Sequence, residues 1–149
     1  WNDNWTNGEI KFLVGRRPET SNKSKTKWTV PGGTVDLNDI VNSREVGVFS
    51  YDVLDTTIKS ELYEVTAMYI DGKITYLTSI EYGSLAQDDL NMVMSFYARG
   101  MGNALMNSHS LEDMTWITVD EIDQYDFIEG IGDEIREVYE ILKNQNQQD

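Results

Sequence analysis

The sequence contains no cysteine, only two prolines and a single histidine, His109. The absence of cysteine excludes disulfide bonds, thiolate nucleophiles and zinc–thiolate sites, and it fits a reducing compartment. Apolar runs are only a few residues long, so the sequence offers no membrane-spanning helix, and its start does not resemble a secretory signal peptide. We therefore expect a cytoplasmic protein without a membrane partner.

Basic residues are also scarce: 12 lysines and arginines face 26 acids, which gives a formal net charge of −14. A surface of this charge repels polyphosphate chains and argues against a nucleic-acid polymer as a partner. Half of the bases nevertheless lie near the start of the chain: Lys11, Arg16, Arg17, Lys23, Lys25 and Lys27. This region is where we expect a phosphate group to bind, although a lysine-rich solvated loop would give the same pattern.

The 149 residues suffice for one domain with a hydrophobic core, which we place at 1–149 with a frayed tail at 144–149. Residues 16–27 and 37–51 lack apolar periodicity and are predicted mostly as loops. Extended segments are predicted at 9–15, at 27–36, at 90–100, from 115 onward, and as two strands within 68–83 that meet at an Asp71-Gly72 turn.

Helical periodicity appears in two segments. The first has one apolar stripe and should end near Ala67, and the stripe consists of Leu54, Ile58, Leu62 and Val65. The second spans 131–143, with a buried face made of Ile131, Ile135, Val138, Tyr139 and Leu142. Thr118 and Glu121 have the spacing of a capping box. The order of strands, helix, strands and helix predicts an α+β fold in which helices cover a mixed sheet.

Two glutamates on the first helix, Glu61 and Glu64, have the spacing of a metal site. Each helical residue advances by about 100°, so these side chains lie roughly 60° apart and share one edge of the helix. Mg²⁺ favours such a site, because it takes few carboxylates and keeps waters and substrate phosphate oxygens as its other ligands. Two acids at this spacing are, by themselves, more often a solvated helix face.

A compact motif precedes this helix: W-x-V-P-G-G-x-V-D at Trp28–Asp36. Its glycines permit close backbone approach and leave carbonyl groups free to ligate. Together with the strand before it and the E-L-Y-E segment after it, this motif resembles the Nudix hydrolase family, whose box reads G-x5-E-x7-R-E-U-x-E-E-x-G-U with U aliphatic. Gly33 matches the first glycine, Asp39 stands at the first acid, and residues 60–68 align with the helical part.

The alignment requires an insertion of about 13 residues, near 39–51, and extends roughly from Gly8 to Leu142. Trp116 followed by V-D-E-I at 119–122 is similar to the end of the family's domain. The resemblance implies an α/β/α sandwich with a mixed β-sheet. It also implies hydrolysis, dependent on Mg²⁺ or Mn²⁺, of a nucleoside diphosphate linked to another group, such as ADP-ribose, a dinucleoside polyphosphate or a nucleotide sugar.

The resemblance also assigns roles to individual residues. Glu61 and Glu64 are then metal ligands and catalytic residues, and the Gly33 carbonyl is a further ligand. Arg16 and Arg17 are candidates for contact with the substrate phosphates, because a guanidinium group suits phosphate oxygens. Glu112 is the candidate for a loop acid that serves as ligand or general base.

Three positions depart from the family pattern: Ser60 replaces an arginine, Val65 replaces an acid, and Ala67 replaces a glycine. Loss of the acid at position 65 should weaken metal binding. Replacement acids could come from Asp36, Asp39, Glu112 or Asp113. The alternative to an active enzyme is an impaired Nudix-like domain that binds a nucleotide or a protein partner.

Some residues have roles that the sequence leaves open. His109 is either a proton shuttle or a surface histidine. Phe49 and Tyr51 in the insertion either stack on a base or pack. Trp1 and Trp5 could form the edge of a homodimer.

Overall fold

A computed structural model describes residues 1–3, 8–18, 27–84, 89–107 and 109–146. Its strands are β1 (Phe12–Arg16), β2 (Trp28–Thr29), β3 (Arg44–Val46), β4 (Phe49–Tyr51), β5 (Tyr69–Ser84), β6 (Asp89–Met101) and β7 (Asp113–Ile117). Its α-helices are α1 (Leu37–Asn42), α2 (Val53–Thr66) and α3 (Ile131–Asn146), and a 3₁₀ helix spans Val119–Gln124. Among these ranges, no helix is both long and apolar enough to cross a membrane.

The central sheet has the strand order β2-β1-β7, and both pairings are antiparallel. Four of the five residues of β1 are buried, because this middle strand is covered on both faces. A parallel bridge joins Trp28 to Phe127 and makes the pairing mixed. The strand predicted at 9–15 is thus confirmed, although the regular ladder begins three residues later.

One face of the sheet carries the hydrophobic core. Phe12 and Val14 of β1 and Ile117 of β7 pack with α3, whose buried residues are Ile135, Val138 and Leu142. Ile131 and Tyr139 are partly buried against the same cluster. The buried face predicted for this helix is therefore confirmed, and the helix continues to Asn146.

The opposite face of the sheet lies toward α2. Gly15 follows Val14 in β1 and therefore faces the other side of the sheet. A Cβ at Gly15 would overlap the side chain of Leu111. Leu111 in turn lines a cleft together with Val65 of α2. Helices therefore cover both faces of the sheet, as the α+β sandwich prediction requires.

Strands β5 and β6 form a long two-stranded ribbon that runs from the pair Tyr69–Met101 to the pair Ser84–Asp89. The prediction of two strands meeting at Asp71-Gly72 is wrong. Gly72 does adopt a positive φ of 83°, but it lies within an irregularity of one continuous strand. The local preference for a turn is overridden because β6 supplies hydrogen-bonding partners on both sides of the bulge.

Residues 37–51 contain α1 and the β3–β4 hairpin, so their prediction as loop is wrong. Asp36 caps α1 in a reciprocal capping box with Asp39, and Gly47 supplies the positive φ of 65° in the hairpin turn. All residues of β3 and β4 are exposed. Elements this short, exposed on both faces, show neither helical nor alternating periodicity in the sequence.

The capping box predicted at Thr118 and Glu121 is present, and it begins the 3₁₀ helix. Most of the loop predicted at 16–27 lies outside the described residues, as do Trp5, Lys23 and Lys25. Trp1 is partly buried against the core. The homodimer stays a prediction.

Candidate functional site

Helix α2 carries the two glutamates and ends at Ala67, as predicted. Ala67 adopts the left-handed conformation with φ 56° and donates its backbone N–H to the carbonyl of Tyr63. Glycine adopts this conformation without strain, whereas alanine does so at a cost of about 1 kcal/mol. The apolar stripe was predicted only in part: Val65 is buried, but Leu54 is exposed and Thr57 is buried instead.

The carboxylate of Glu61 lies directly against the backbone of Gly33. A Cβ at Gly33 would overlap the carboxylate carbon and both of its oxygens. The carboxylate also accepts a hydrogen bond from the backbone N–H of Thr34. The structure therefore brings together the glycine motif and the helix glutamate, although 28 positions separate residues 33 and 61.

Partial burial, followed by the charge of Glu64, raises the pKa of Glu61 above its ordinary value of 4.5. Asp39 and Asp36 add smaller repulsions, and the Thr34 N–H opposes them. A carboxylate in this surrounding gains from a cation, since a cation would offset both the lost hydration and the neighbouring negative charges.

Glu64 is exposed on the next turn of α2, on the edge that it shares with Glu61. Within the described ranges, no group of three acidic or histidine side chains is arranged to hold a metal ion by itself. Two carboxylates fit Mg²⁺, which commonly uses one or two carboxylates together with waters and substrate phosphates. They fit less well a metal that requires four protein ligands.

Asp39, a candidate replacement acid, has its carboxylate occupied by hydrogen bonds. Its side chain is 6% exposed, and its two oxygens accept from the Ser60 hydroxyl at 2.9 Å and from the Asp36 backbone N–H at 3.0 Å. The Asp36 bond, reinforced by the hydroxyls of Ser60 and Thr57, lowers the pKa of Asp39. The sequence did not predict this arrangement; its signal was the D-x-x-D spacing of Asp36 and Asp39.

Val65, which the sequence resemblance aligns with an acid of the family box, is buried at 6% exposure. Its side chain lines a cleft of about 210 Å³, whose other lining residues are Arg17, Thr29, Val30, Pro31, Gly32, Ser110 and Leu111. Its carbonyl accepts a hydrogen bond from the Asn107 backbone N–H at 3.1 Å, and the Thr66 carbonyl accepts one from Leu105 at 2.9 Å. These bonds, which sequence reasoning missed, fasten the loop before β7 to the end of α2.

The two arginines after β1 take different positions. Arg16 forms an ion pair with Glu112 at 3.8 Å, and the Glu112 backbone N–H donates to the Arg16 carbonyl at 2.8 Å. Arg17 is exposed and lines the cleft beside Val65. The structure thus places one predicted phosphate-binding arginine at the cleft and pairs the other with the predicted loop acid.

The remaining candidates have other surroundings. His109 is exposed in the loop before β7. The ring of Tyr51 lies under the guanidinium group of Arg44, 5.1 Å from it, and Phe49 is exposed on the hairpin. Lys27 forms an ion pair with Asp126 at 2.8 Å.

No protein-family model matches the chain, and no curated protein sequence matches it. Solved structures do match it, at identities too low to show more than the fold.

The Nudix domain of Shewanella oneidensis NrtR, complexed with ADP-ribose, has a TM-score of 0.65 at 20% identity, covering 91% of this chain and 79% of that chain. A C. elegans Ap4A hydrolase in a binary complex has a TM-score of 0.62 at 16% identity, covering 93% and 90%. A MutT protein from Methanosarcina mazei Go1 has a TM-score of 0.54 at 21% identity, covering 95% and 87%. The resemblance predicted from the sequence is confirmed for the architecture, and the chain has the Nudix fold.

Proposed function

We propose that this chain is a Nudix-type pyrophosphohydrolase that uses Mg²⁺ or Mn²⁺ and cleaves a nucleoside diphosphate linked to another group. The observation that carries the proposal is the contact of the Glu61 carboxylate with Gly33, beside Glu64. A partly buried carboxylate that is repelled by neighbouring acids and lies against a glycine backbone is costly unless it binds a ligand. The ADP-ribose complex of NrtR and the Ap4A hydrolase support a substrate of this class.

In this proposal Glu61 and Glu64 hold the cation, with the Gly33 carbonyl as a further donor. The bound cation would polarise the phosphoryl oxygens and lower the pKa of an attacking water. Arg17 contacts a substrate phosphate from the side of the cleft that Val65 lines. The cleft is smaller than a site for a whole nucleotide, so it takes only one part of the substrate.

Glu112 is the proposed general base. Its carboxylate lies 3.8 Å from the Arg16 guanidinium group, and the Glu112 backbone N–H donates to the Arg16 carbonyl, so the two residues are held next to each other. When a substrate phosphate binds Arg16 and replaces Glu112 as its partner, the Glu112 carboxylate can accept a proton from water. The pair therefore links phosphate binding to the base.

The second candidate is a domain that binds a nucleotide without turnover. Burial of Val65 at the edge of the site favours it, because an apolar side chain replaces an anionic ligand. The two candidates differ in one measurable property, which is hydrolysis.

The deciding experiment incubates the protein with Mg²⁺ or Mn²⁺ and ADP-ribose, diadenosine tetraphosphate or a nucleotide sugar, and measures product release. The variant Glu61→Gln removes the central carboxylate charge. The control Asp55→Asn removes an acid from the same helix that is paired with Lys59. We expect turnover by the wild type and the control and loss of turnover in Glu61→Gln.

Absence of turnover across the panel, together with nucleotide-induced thermal stabilisation, would establish the binding domain instead. Equal turnover by Glu61→Gln and wild type would show that the chemistry lies elsewhere.

A further inference from the structure

Asp39 is a buried acid that the metal hypothesis does not use. One of its oxygens accepts from the Ser60 hydroxyl at 2.9 Å, and the other accepts from the Asp36 backbone N–H at 3.0 Å. A buried carboxylate with two donors is held in one orientation. Its oxygens are therefore less accessible to a cation than the carboxylate oxygens of the exposed Glu64.

The two hydrogen-bond partners of Asp39, Ser60 and Asp36, both lie close in sequence to residues that contact or flank Glu61. Ser60 is its neighbour on α2, so the 2.9 Å bond joins the first turn of α1 to the turn that carries Glu61. On the other side, Asp36 and Asp39 exchange two bonds of 3.0 Å, which fix the backbone two residues after Thr34.

The Thr34 N–H is the group that donates to the Glu61 carboxylate. These contacts therefore form a closed ring that joins residues 34–39 to residues 60 and 61 of α2. The ring passes through Glu61, Thr34, Asp36, Asp39 and Ser60.

We propose that Asp39 is a positioning residue: by joining Ser60 to the Asp36 backbone, it holds the Gly33-Thr34 segment against the Glu61 carboxylate. The first turn of α1, within the inserted segment, thereby becomes part of the frame of the site. The consequence for metal binding rests on the proposed function, whereas the positioning of Thr34 does not.

The chain offers a matched control for Asp39. Glu121 occupies the same position in the other capping box, where it accepts from the Thr118 backbone N–H at 2.8 Å and the Thr118 hydroxyl at 3.0 Å. Truncating Glu121 removes a capping carboxylate away from the glycine motif. It therefore reports what loss of a capping carboxylate does on its own.

The experiment compares Asp39→Ala, Ser60→Ala and Glu121→Ala in the full chain. Amide hydrogen exchange of Thr34 is measured by NMR, with the amides of β1 as the reference for global unfolding. We expect Asp39→Ala and Ser60→Ala to accelerate Thr34 exchange at least about fivefold relative to β1, since a hydrogen bond contributes about 1 kcal/mol. Glu121→Ala should leave that ratio unchanged.

Mn²⁺ affinity supplies the second readout. We expect Asp39→Ala to weaken it by about tenfold, as loss of an outer-shell partner does, and Asp39→Asn, which retains one acceptor, to weaken it less. Equal losses in Asn and Ala variants with unchanged Thr34 exchange would make Asp39 a metal ligand and overturn the proposal. Unchanged Thr34 exchange in Asp39→Ala would overturn it too.

The two proposals can fail separately. If the wild type binds no Mn²⁺ and hydrolyses nothing, the proposed function fails. The exchange of the Thr34 amide then still decides the role of Asp39.

Discussion

Replacing Gly33 with alanine tests the contact on which the candidate site depends. The added Cβ would overlap the whole Glu61 carboxylate, whereas non-bonded carbons approach each other only to about 3.5 Å. The carboxylate therefore has to retreat by more than about 1 Å, and the Thr34 N–H loses its acceptor. Mg²⁺ tolerates little change in ligand geometry, because its oxygen ligands lie at about 2.0–2.1 Å.

The expected effect is selective. The overlapped atoms are the end of a flexible side chain, and Gly33 does not have a positive φ, so folding should change by less than about 1 kcal/mol. Metal affinity should fall by about 10- to 100-fold, with hydrolysis falling at least as much. Titration calorimetry with Mn²⁺ and thermal unfolding of the metal-free protein measure the two quantities.

Gly32 provides the control next to it. A Cβ at Gly32 would meet no atom within 4 Å, and this glycine also lacks a positive φ. Gly32→Ala should therefore bind Mn²⁺ as the wild type does. If the two alanine variants bind Mn²⁺ equally well, the Gly33–Glu61 contact does not shape the metal site and the reasoning is refuted.

Four further predictions concern charge and packing. In metal-free protein, Glu61→Gln should raise the free energy of unfolding at pH 7 by up to about 1 kcal/mol. Because the pKa of Glu61 is raised in the folded state, its contribution to the free energy of unfolding is most favourable below pH 4.5 and is lost as pH rises through the folded-state pKa. Denaturant titrations from pH 4 to 8 should therefore show a free energy of unfolding that depends less on pH in Glu61→Gln than in the wild type. Val65→Glu should tighten Mn²⁺ binding while destabilising metal-free protein by about 1–3 kcal/mol, since it buries a charge; unchanged affinity would mean that position 65 does not face the ion. Glu121, whose pKa is lowered by Thr118, stabilises the fold above its ordinary pKa of 4.5 and loses this effect as pH falls through the lowered value. Glu121→Gln should therefore cost about 1 kcal/mol at pH 7 and much less at pH 3, and a constant difference would contradict the cap. Ile135→Ala should cost about 2–5 kcal/mol in urea unfolding, against less than about 0.5 kcal/mol for the exposed Leu105→Ala.

The elements that could be predicted from the sequence are those in which burial imposes a period. In α3 the buried residues Ile135, Val138 and Leu142 recur at helical spacing because one side faces the sheet. In β1 four consecutive residues are buried because the strand is covered on both faces, so the alternation that predicted a strand at 9–15 does not describe its burial. Long elements with a strong periodic pattern therefore have the expected type.

The errors have the opposite cause. The hairpin of β3 and β4 is exposed throughout, so its sequence has no periodic constraint. At Asp71-Gly72 the local turn preference was correctly recognised, but pairing with β6, which the sequence cannot reveal, converts the turn into a bulge.

The candidate site was predictable to a similar degree. The spacing of Glu61 and Glu64 gave their shared helix edge, and the family resemblance linked that helix to Gly33. The role of Asp39 was not predictable, because it depends on α1 folding and meeting α2 at Ser60. Arg17 was assigned to the substrate phosphate by the family resemblance, and its place at the cleft required the fold.

The segment near 39–51, which the sequence resemblance predicts to be an insertion, would lengthen the chain between Gly33 and Glu61 without adding much to the free energy of closing the site. Gly33 and Glu61 are 28 positions apart, about twice the separation in the family box, yet their atoms touch. Closing a loop of doubled length costs only about 0.6 kcal/mol more entropy. A helix and hairpin can therefore be accommodated between the two halves of the motif at small thermodynamic cost, whereas a search that assumes fixed spacing loses the motif entirely.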